Sequence, residues 1–291
     1  MESERQRALE HFLSTIDREQ VVAELRDGSG AEPGVLRRRL DTYLNECRVG
    51  LDLIEPYLDS RPRLLEVGAG IGALSAFLAT EGFDIVAIEP AGPGFDVVEM
   101  MRRAIDAQLD GVVREVIDAG VDEIPAGLGL FDLVFSVHVL EHVPDVSTAI
   151  AAMQRQLAPG GRSVHVCPNY AFPFDPHFGI PLVPGRPAAT AGLLPASIRS
   201  SGMWRSLNFV TAGRVRRTAR RLDLTVDFRP GVLGEMVDRL DNDPVFRERH
   251  RRLVSLTDLL FHRLRLRAAL DRWPAGLASP MVFELQSRAG D

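Results

Sequence analysis

Short apolar runs recur through the middle of the chain, separated by stretches whose apolar residues return every three or four positions. The runs are Leu64–Val67, Asp84–Ile88, Val112–Ile117, Phe131–Val139 and Arg162–Cys167. Runs of this length and composition suit strands buried on both faces. Between them, Ala73–Glu81, Phe95–Leu109 and Val146–Leu157 carry helical spacing, the first closed by Gly82 just past its end. Strands alternating with helices at this pitch predict a parallel sheet wound on both faces by right-handed crossovers. Leu224–Phe228 and Met281–Gln286 supply a sixth and a seventh strand. The predicted fold class is therefore α/β, with a doubly wound, seven-stranded, mostly parallel, Rossmann-like sheet.

The flanks follow other patterns. Glu4–Leu25 and Leu36–Leu58 are amphipathic and helical, broken by Gly28-Ser29-Gly30 and Pro33-Gly34. They predict an N-terminal helical cap over residues 1–60, equally readable as a lid on a ligand cleft or a brace on the sheet. The core occupies residues 61–170, with a turn expected at Pro159-Gly160-Gly161. Residues 168–210 are dense in proline, interleaved with Tyr170, Phe172, Phe174, Phe178 and Trp204. That composition excludes helix and central strand but is too apolar for a disordered linker. An ordered excursion of this kind, in a segment spanning 171–222, suits an acceptor pocket. Residues 223–291 complete the core, with helical spacing over Pro244–Leu270.

Composition narrows the function classes. The chain has 291 residues, 45% of them hydrophobic, and no apolar run long enough to span a bilayer. Its charged N-terminus lacks the apolar centre of a signal peptide. Two cysteines make no disulfide framework and show no metal-ligand spacing. These features predict a cytoplasmic protein. Every Lys+Arg residue is an arginine, which excludes lysine-based catalysis. The net charge of -6 divides into -13 before residue 171 and +7 after it. Arginine clusters at Arg214–Arg221 and Arg247–Arg252 read as solvated helix faces, and no nucleic-acid partner is expected.

The candidate chemistry begins at the first strand–helix junction. Gly68, Gly70 and Gly72 follow Leu64–Val67, a helix follows them, and Glu89 ends the second strand. Glycines there permit positive φ and close approach of a ligand to the backbone. An acid at the end of the second strand can accept both hydroxyls of a ribose. This is a nucleotide-binding βαβ unit. Gly68, Gly70 and Ala73 also satisfy the dinucleotide spacing, so the turn alone leaves NAD open.

Four further features resemble the class I S-adenosylmethionine-dependent methyltransferases, especially small bacterial members acting on small molecules and lipids. They are Glu66 inside LLEVGAGIG, Asp118 in VIDAGVDEIP, the segment FDLVFSVHVLEHVPD, and LAPGGRSVHV. The resemblance covers residues 60–170 and the final strand. It implies that Gly68, Ala69, Gly70 and Gly72 face the methionine and ribose of S-adenosyl-L-methionine, with Glu66 near its amino group. Glu89 would hold the ribose hydroxyls, Asp118 the adenine amino group, and the Ala119 N–H the ring. Ser136 and Val137 would lie beside the sulfonium, and the product would be S-adenosyl-L-homocysteine. Glu66 also admits a purely structural pairing with Arg61 or Arg63.

Methyl transfer from a sulfonium is a displacement in which the cofactor carries the chemistry and the protein aligns the acceptor. A hydroxyl acceptor also gains from a base, typically about 10²–10⁴-fold. His138, ending the fourth strand, is the first candidate for the catalytic base, and His177, in FDPHFGIP, the second. His142 reads as the start of the following helix and as structural. No Asn/Asp-Pro-Pro-Tyr signature follows the fourth strand, so O-methylation of a small-molecule or lipid-like acceptor is the expected reaction. No motif argues for a catalytic metal, no integral membrane segment is expected, and a homodimer is admitted. An NAD-dependent oxidoreductase and a non-catalytic scaffold are the competing readings.

Overall fold

The computed structural model describes residues 3–91, 96–109, 112, 116–242, 270 and 272–288. The chain divides into two compact units: residues 1–139 with 148–165, and residues 140–147 with 166–291.

In the first unit, the segment expected as one helix over Glu4–Leu25 is two, α1 (Glu4–Ser14) and α2 (Arg18–Ser29). Asp17 causes the break. Its Oδ1 accepts the Glu19 and Gln20 N–H groups at 3.0 Å, restarting the helix. Ser3 and Gln6 close a reciprocal capping box on α1. α3 (Pro33–Ile54) starts on proline, whose missing N–H costs nothing at a first helical position. It buries Leu36, Leu40, Leu44, Cys47, Leu51 and Ile54 as the spacing predicts. A 3-10 turn, Glu55–Ser60, leads to the sheet.

Strand β1 (Leu64–Val67) is buried at all four positions. It pairs in parallel with β2 (Ile85–Ile88) on one side and β4 (Phe131–Val137) on the other. In that register Glu66 lies between Ala87 and Phe135. α4 (Ala73–Thr80) starts at Gly72, with φ 68°, and Gly82, with φ 79°, follows its C-cap. α5 (Asp96–Gln108) buries Met101 and Ile105, while Met100 meets Gly28 of α2 instead of packing on the sheet. β3 (Val116–Ile117) pairs with β2, and residues 113–115 of the expected strand lie outside the described residues. α6 (Val146–Gln154) leads into β5 (Leu157–Cys167). The expected turn at Pro159-Gly160-Gly161 is instead part of β5: Gly160 absorbs a φ of 81°. A Cβ on Gly161 would stand 2.9–3.1 Å from the carbonyl oxygens of Ala158, Phe131 and Asp132.

In the second unit the proline-rich excursion, expected to hold neither helix nor central strand, contains a short antiparallel hairpin, β6 (Phe174–Asp175) with β7 (Ile180–Pro181), and, against that expectation, two short helices in its proline-free stretches. A two-residue strand has few donors to lose, so proline is tolerated in it. Short helices α7 (Ala196–Arg199) and α8 (Gly202–Ser206) follow, then α9 (Ala212–Arg221). β8 (Leu224–Phe228) pairs antiparallel with β9 (Met281–Ser287), and α10 (Val232–Asn242) lies between them in sequence. The helical spacing of Pro244–Leu270 falls on residues outside the described ones, apart from Leu270. The sheet has seven strands and is mostly parallel, as the sequence predicts; its order is β3-β2-β1-β4-β5-β9-β8, with β8 and β9 antiparallel. The order reverses at β1, where β2 and β4 flank it, and ligands of such sheets bind beyond the strand ends at that reversal.

Candidate active site

The glycine turn leaves β1 at that point. Gly68 and Ala69 donate their N–H groups to the Ile88 carbonyl at 2.9 and 3.0 Å, which pins the turn to the end of β2. Gly68, Gly70 and Gly72 all have positive φ (79°, 54° and 68°). A Cβ on Gly68 would collide with Cγ2 of Val139, and one on Gly70 would stand 3.2 Å from the Tyr43 ring. Tyr43, on α3, therefore covers the turn. The sequence presents it only as one more residue of an amphipathic face.

Glu89 is 8% exposed, and its Oε2 accepts the Gly70 N–H at 2.9 Å. Burial pushes its carboxyl up to about 7, against the pull of that N–H and of Arg102. Glu66 is buried within β1, and its charge adds to burial in raising the Cys47 thiol. Arg63 pairs with Asp84 at 2.9 Å, and Arg61 donates to the Glu81 and Gly82 carbonyls. Those two arginines thus have partners elsewhere. Asp118 is exposed after β3 and accepts the Ala91 N–H at 2.7 Å, tying together the loops that follow β2 and β3; Ala119 beside it is buried.

Ser136 is 1% exposed, and its hydroxyl meets Nδ1 of His165 at 2.8 Å. His165 also meets the Ser163 hydroxyl at 2.9 Å, and burial lowers its pKa to about 3, so it is neutral. Val137 is half-buried, beside Gly50 of α3. His138 follows β4 with φ 55°, a left-handed conformation uncommon outside glycine and typical of functional turns.

The second unit carries a separate acid–base cluster. His177 lies in the turn between β6 and β7, with Nδ1 3.4 Å from Asp175 Oδ2 and Nε2 3.8 Å from Glu141 Oε1. Asp175 is fully buried and also accepts the Tyr170 hydroxyl at 2.9 Å and the Phe178 N–H at 2.8 Å. Burial pushes its carboxyl up, but His177, the Phe178 N–H and the Tyr170 hydroxyl outweigh it and hold it below the usual carboxylate range. Burial, then the charges of Asp175 and Glu141, keep Tyr170 protonated. Glu141 is fully buried. His142 does not start a helix, since α6 begins at Val146; it sits in a turn with Nδ1 2.8 Å from Ser206 Oγ and its ring 5.2 Å from that of His177. Tyr170, Phe209, Trp204 and Phe178 form a chain of edge-on ring contacts in the same unit. Of this cluster only His177 stands out in the sequence as a catalytic candidate. Glu141, Asp175 and Tyr170 carry no spacing that singles them out, although Asp175-Pro176-His177 offers an acid two residues from an imidazole.

A family model described as a methyltransferase domain matches residues 36–227. The chain belongs to the class I S-adenosylmethionine-dependent methyltransferases. The dinucleotide and scaffold alternatives are thereby set aside. This methyltransferase is 33% identical over 255 residues to an uncharacterized protein of Mycobacterium tuberculosis strain H37Rv, covering 84% of this chain and 86% of that one. It is 36% identical over 115 residues to a ubiquinone biosynthesis O-methyltransferase of Xanthomonas oryzae, covering 39% and 46%. The structure of the plantazolicin methyltransferase BpumL, solved with S-adenosylhomocysteine, superposes with a TM-score of 0.49 at 7% identity over 97% of this chain and 100% of that one. Among the described residues no helix of the methyltransferase is long and apolar enough to cross a membrane.

The residues of the first unit fit the cofactor. The glycine turn has no side chain to obstruct an approaching ligand, and Glu66 and Glu89 are acids beside it, as a cationic sulfonium and ammonium require. Glu89, raised to about 7 with one N–H donor, gains from hydroxyl donors of a ribose.

Proposed function

We propose that the enzyme methylates a hydroxyl of a small-molecule or lipid-like acceptor, and that His177 takes up the proton that this hydroxyl gives away. The cofactor supplies an electrophilic methyl group; the chain's own residues hold it, orient the acceptor and accept the proton. On this reading Gly68–Gly72 and Glu66 hold the methionine and ribose part, Glu89 the ribose hydroxyls, and Asp118 and Ala119 the adenine. Ser136 and Val137 offer backbone and side chain beside the sulfonium. His138, turned out of β4 by its left-handed φ, is the second candidate for the proton.

One observation carries the reading: the Asp175 carboxylate on Nδ1 of His177. A carboxylate there fixes the tautomer with the lone pair on Nε2 and stabilises the imidazolium that forms when Nε2 takes a proton. His177 itself, then the Phe178 N–H and the Tyr170 hydroxyl, hold the carboxylate ionised, so the pair is set before any ligand binds. The partial likeness to an O-methyltransferase supports hydroxyl over amine chemistry.

The test is a panel of phenolic, hydroxy-acid and prenylated hydroxyl acceptors with labelled S-adenosylmethionine. Transfer to oxygen is expected, and His177→Ala should lower kcat about 10²–10⁴-fold with cofactor affinity unchanged. His177→Ala within a few-fold of wild type, alongside a large loss in His138→Ala, would move the base to His138. Methyl found only on nitrogen or carbon would overturn the O-methylation.

A further inference from the structure

We propose that Glu141, His142 and His177 form a binding site for a divalent first-row metal ion of the zinc type. One ligand atom from each residue lies within 4.8 Å of the other two. The hydrogen bonds around the cluster assign the tautomers of its two rings. Ser206 donates its hydroxyl proton to the Met203 carbonyl at 2.9 Å, so towards His142 it is an acceptor, and Nδ1 of His142 carries the proton. The lone pair of neutral His142 is then on Nε2. The same reasoning at His177, whose Nδ1 donates to the Asp175 carboxylate, puts its lone pair on Nε2, the atom 3.8 Å from Glu141 Oε1. Two imidazole lone pairs and a fully buried carboxylate thus share one small volume.

The surroundings match a metal site beyond the three ligands. Metal-binding histidines usually donate their other ring N–H to a carboxylate, carbonyl or hydroxyl, which fixes the tautomer. Asp175 and Ser206 occupy those positions, and Asp175 is itself held by Tyr170 and Phe178. Two imidazoles and one carboxylate suit zinc and its first-row neighbours better than magnesium or calcium, which favour all-oxygen sites. A tetrahedral zinc site with bonds of about 2.0–2.1 Å puts its ligand atoms about 3.3 Å apart. The 3.8 Å separation needs a closure of about 0.5 Å, and a pair at the 4.8 Å bound about 1.5 Å.

Binding does not depend on the acceptor reading, but its effect on catalysis does. A metal on Nε2 of His177 occupies the lone pair that would take the acceptor's proton, so saturating zinc should suppress transfer.

The experiment titrates zinc into chelator-stripped, tag-free full-length protein by calorimetry, with cobalt absorption as a second signal. Saturable binding of one ion per chain is expected, weakened at least tenfold in Glu141→Gln and in His142→Ala and about tenfold in Asp175→Asn. His11→Ala, on the exposed side of α1, should bind as wild type does. In case a variant unfolds, zinc should also raise the melting temperature of the wild-type protein. Absence of saturable binding and of that thermal shift, or undiminished affinity in both Glu141→Gln and His142→Ala, would overturn the site and leave the base reading untouched. One-to-one binding with undiminished methyl transfer would uphold the site and overturn His177 as the base.

Discussion

Glu89 in the first unit and Asp175 in the second are both buried carboxylates, and their pKa values move in opposite directions. Glu89 accepts one backbone N–H, and burial lifts it to about 7. Asp175 stands 3.4 Å from the His177 imidazole and accepts a backbone N–H and a phenol, and these hold it below the usual range against the lift of its own burial. Burial alone therefore does not set the charge; the imidazole and the donors around the carboxylate do. Glu89 lacks donors that a ligand with hydroxyls would bring. Asp175 already has its own. The first unit is built to be completed by a cofactor, and the second has its acid–base group set in advance.

The largest effect should come from removing what sets that group. Asp175→Asn keeps the shape but loses the charge, freeing His177 to adopt the wrong tautomer. We expect kcat to fall about 10²-fold or more, with cofactor affinity by calorimetry unchanged. If kcat stays within about threefold, Asp175 serves only the folding of the β6–β7 turn. A fall in cofactor affinity as well would end the separation of roles between the units.

The next largest effect tests the rigidity of the first unit. Gly68→Ala adds a Cβ at φ 79° against Val139, whereas Gly30→Ala adds one at φ 64° into open space. The left-handed conformation alone costs an alanine about 1 kcal/mol, and the collision should bring Gly68→Ala to about 2–3 kcal/mol. Urea midpoints of the two variants measure the difference. Equal losses would show that Val139 moves aside and that the turn is not tightly packed.

The two units also differ in how far the sequence reveals them. β1, the glycine turn, α4 and β2 are contiguous, so periodicity and glycine spacing display them directly. Glu89 closes the second strand and is found by counting along the βαβ unit, whereas Glu66 and Asp118 are singled out by the resemblance to the methyltransferases. The second unit's cluster draws on a turn after β4, on the β6–β7 hairpin and on Ser206 in α8. No local period links these, and the prolines that frame the hairpin argue against a strand there. Asp17, the N-cap that divides α1 from α2, is not singled out by the apolar spacing that runs across it. Tyr43 shows the same limit in the first unit, because its distinction is its contact with Gly70 across the fold.

The smallest effect is the one that separates the two carboxylates most cleanly. A carboxyl raised to about 7 in the folded protein binds more protons there than in the unfolded chain between its ordinary pKa of 4.5 and 7. Stability of the cofactor-free protein therefore falls as pH rises through that window. Cofactor binding runs the other way. On the proposed reading ribose hydroxyls donate to the ionised Glu89, so binding expels a proton below pH 7, and affinity should rise about tenfold from pH 6 to 8 and then level off. Glu89→Gln should remove this slope and weaken binding at pH 8 by about tenfold. Calorimetry in buffers of different ionisation enthalpy counts the proton directly. A pH-independent affinity with no proton released would mean that Glu89 binds the ribose already ionised, or not at all. Asp175, held ionised throughout this range, should contribute nothing to the slope, so Asp175→Asn should retain it in full.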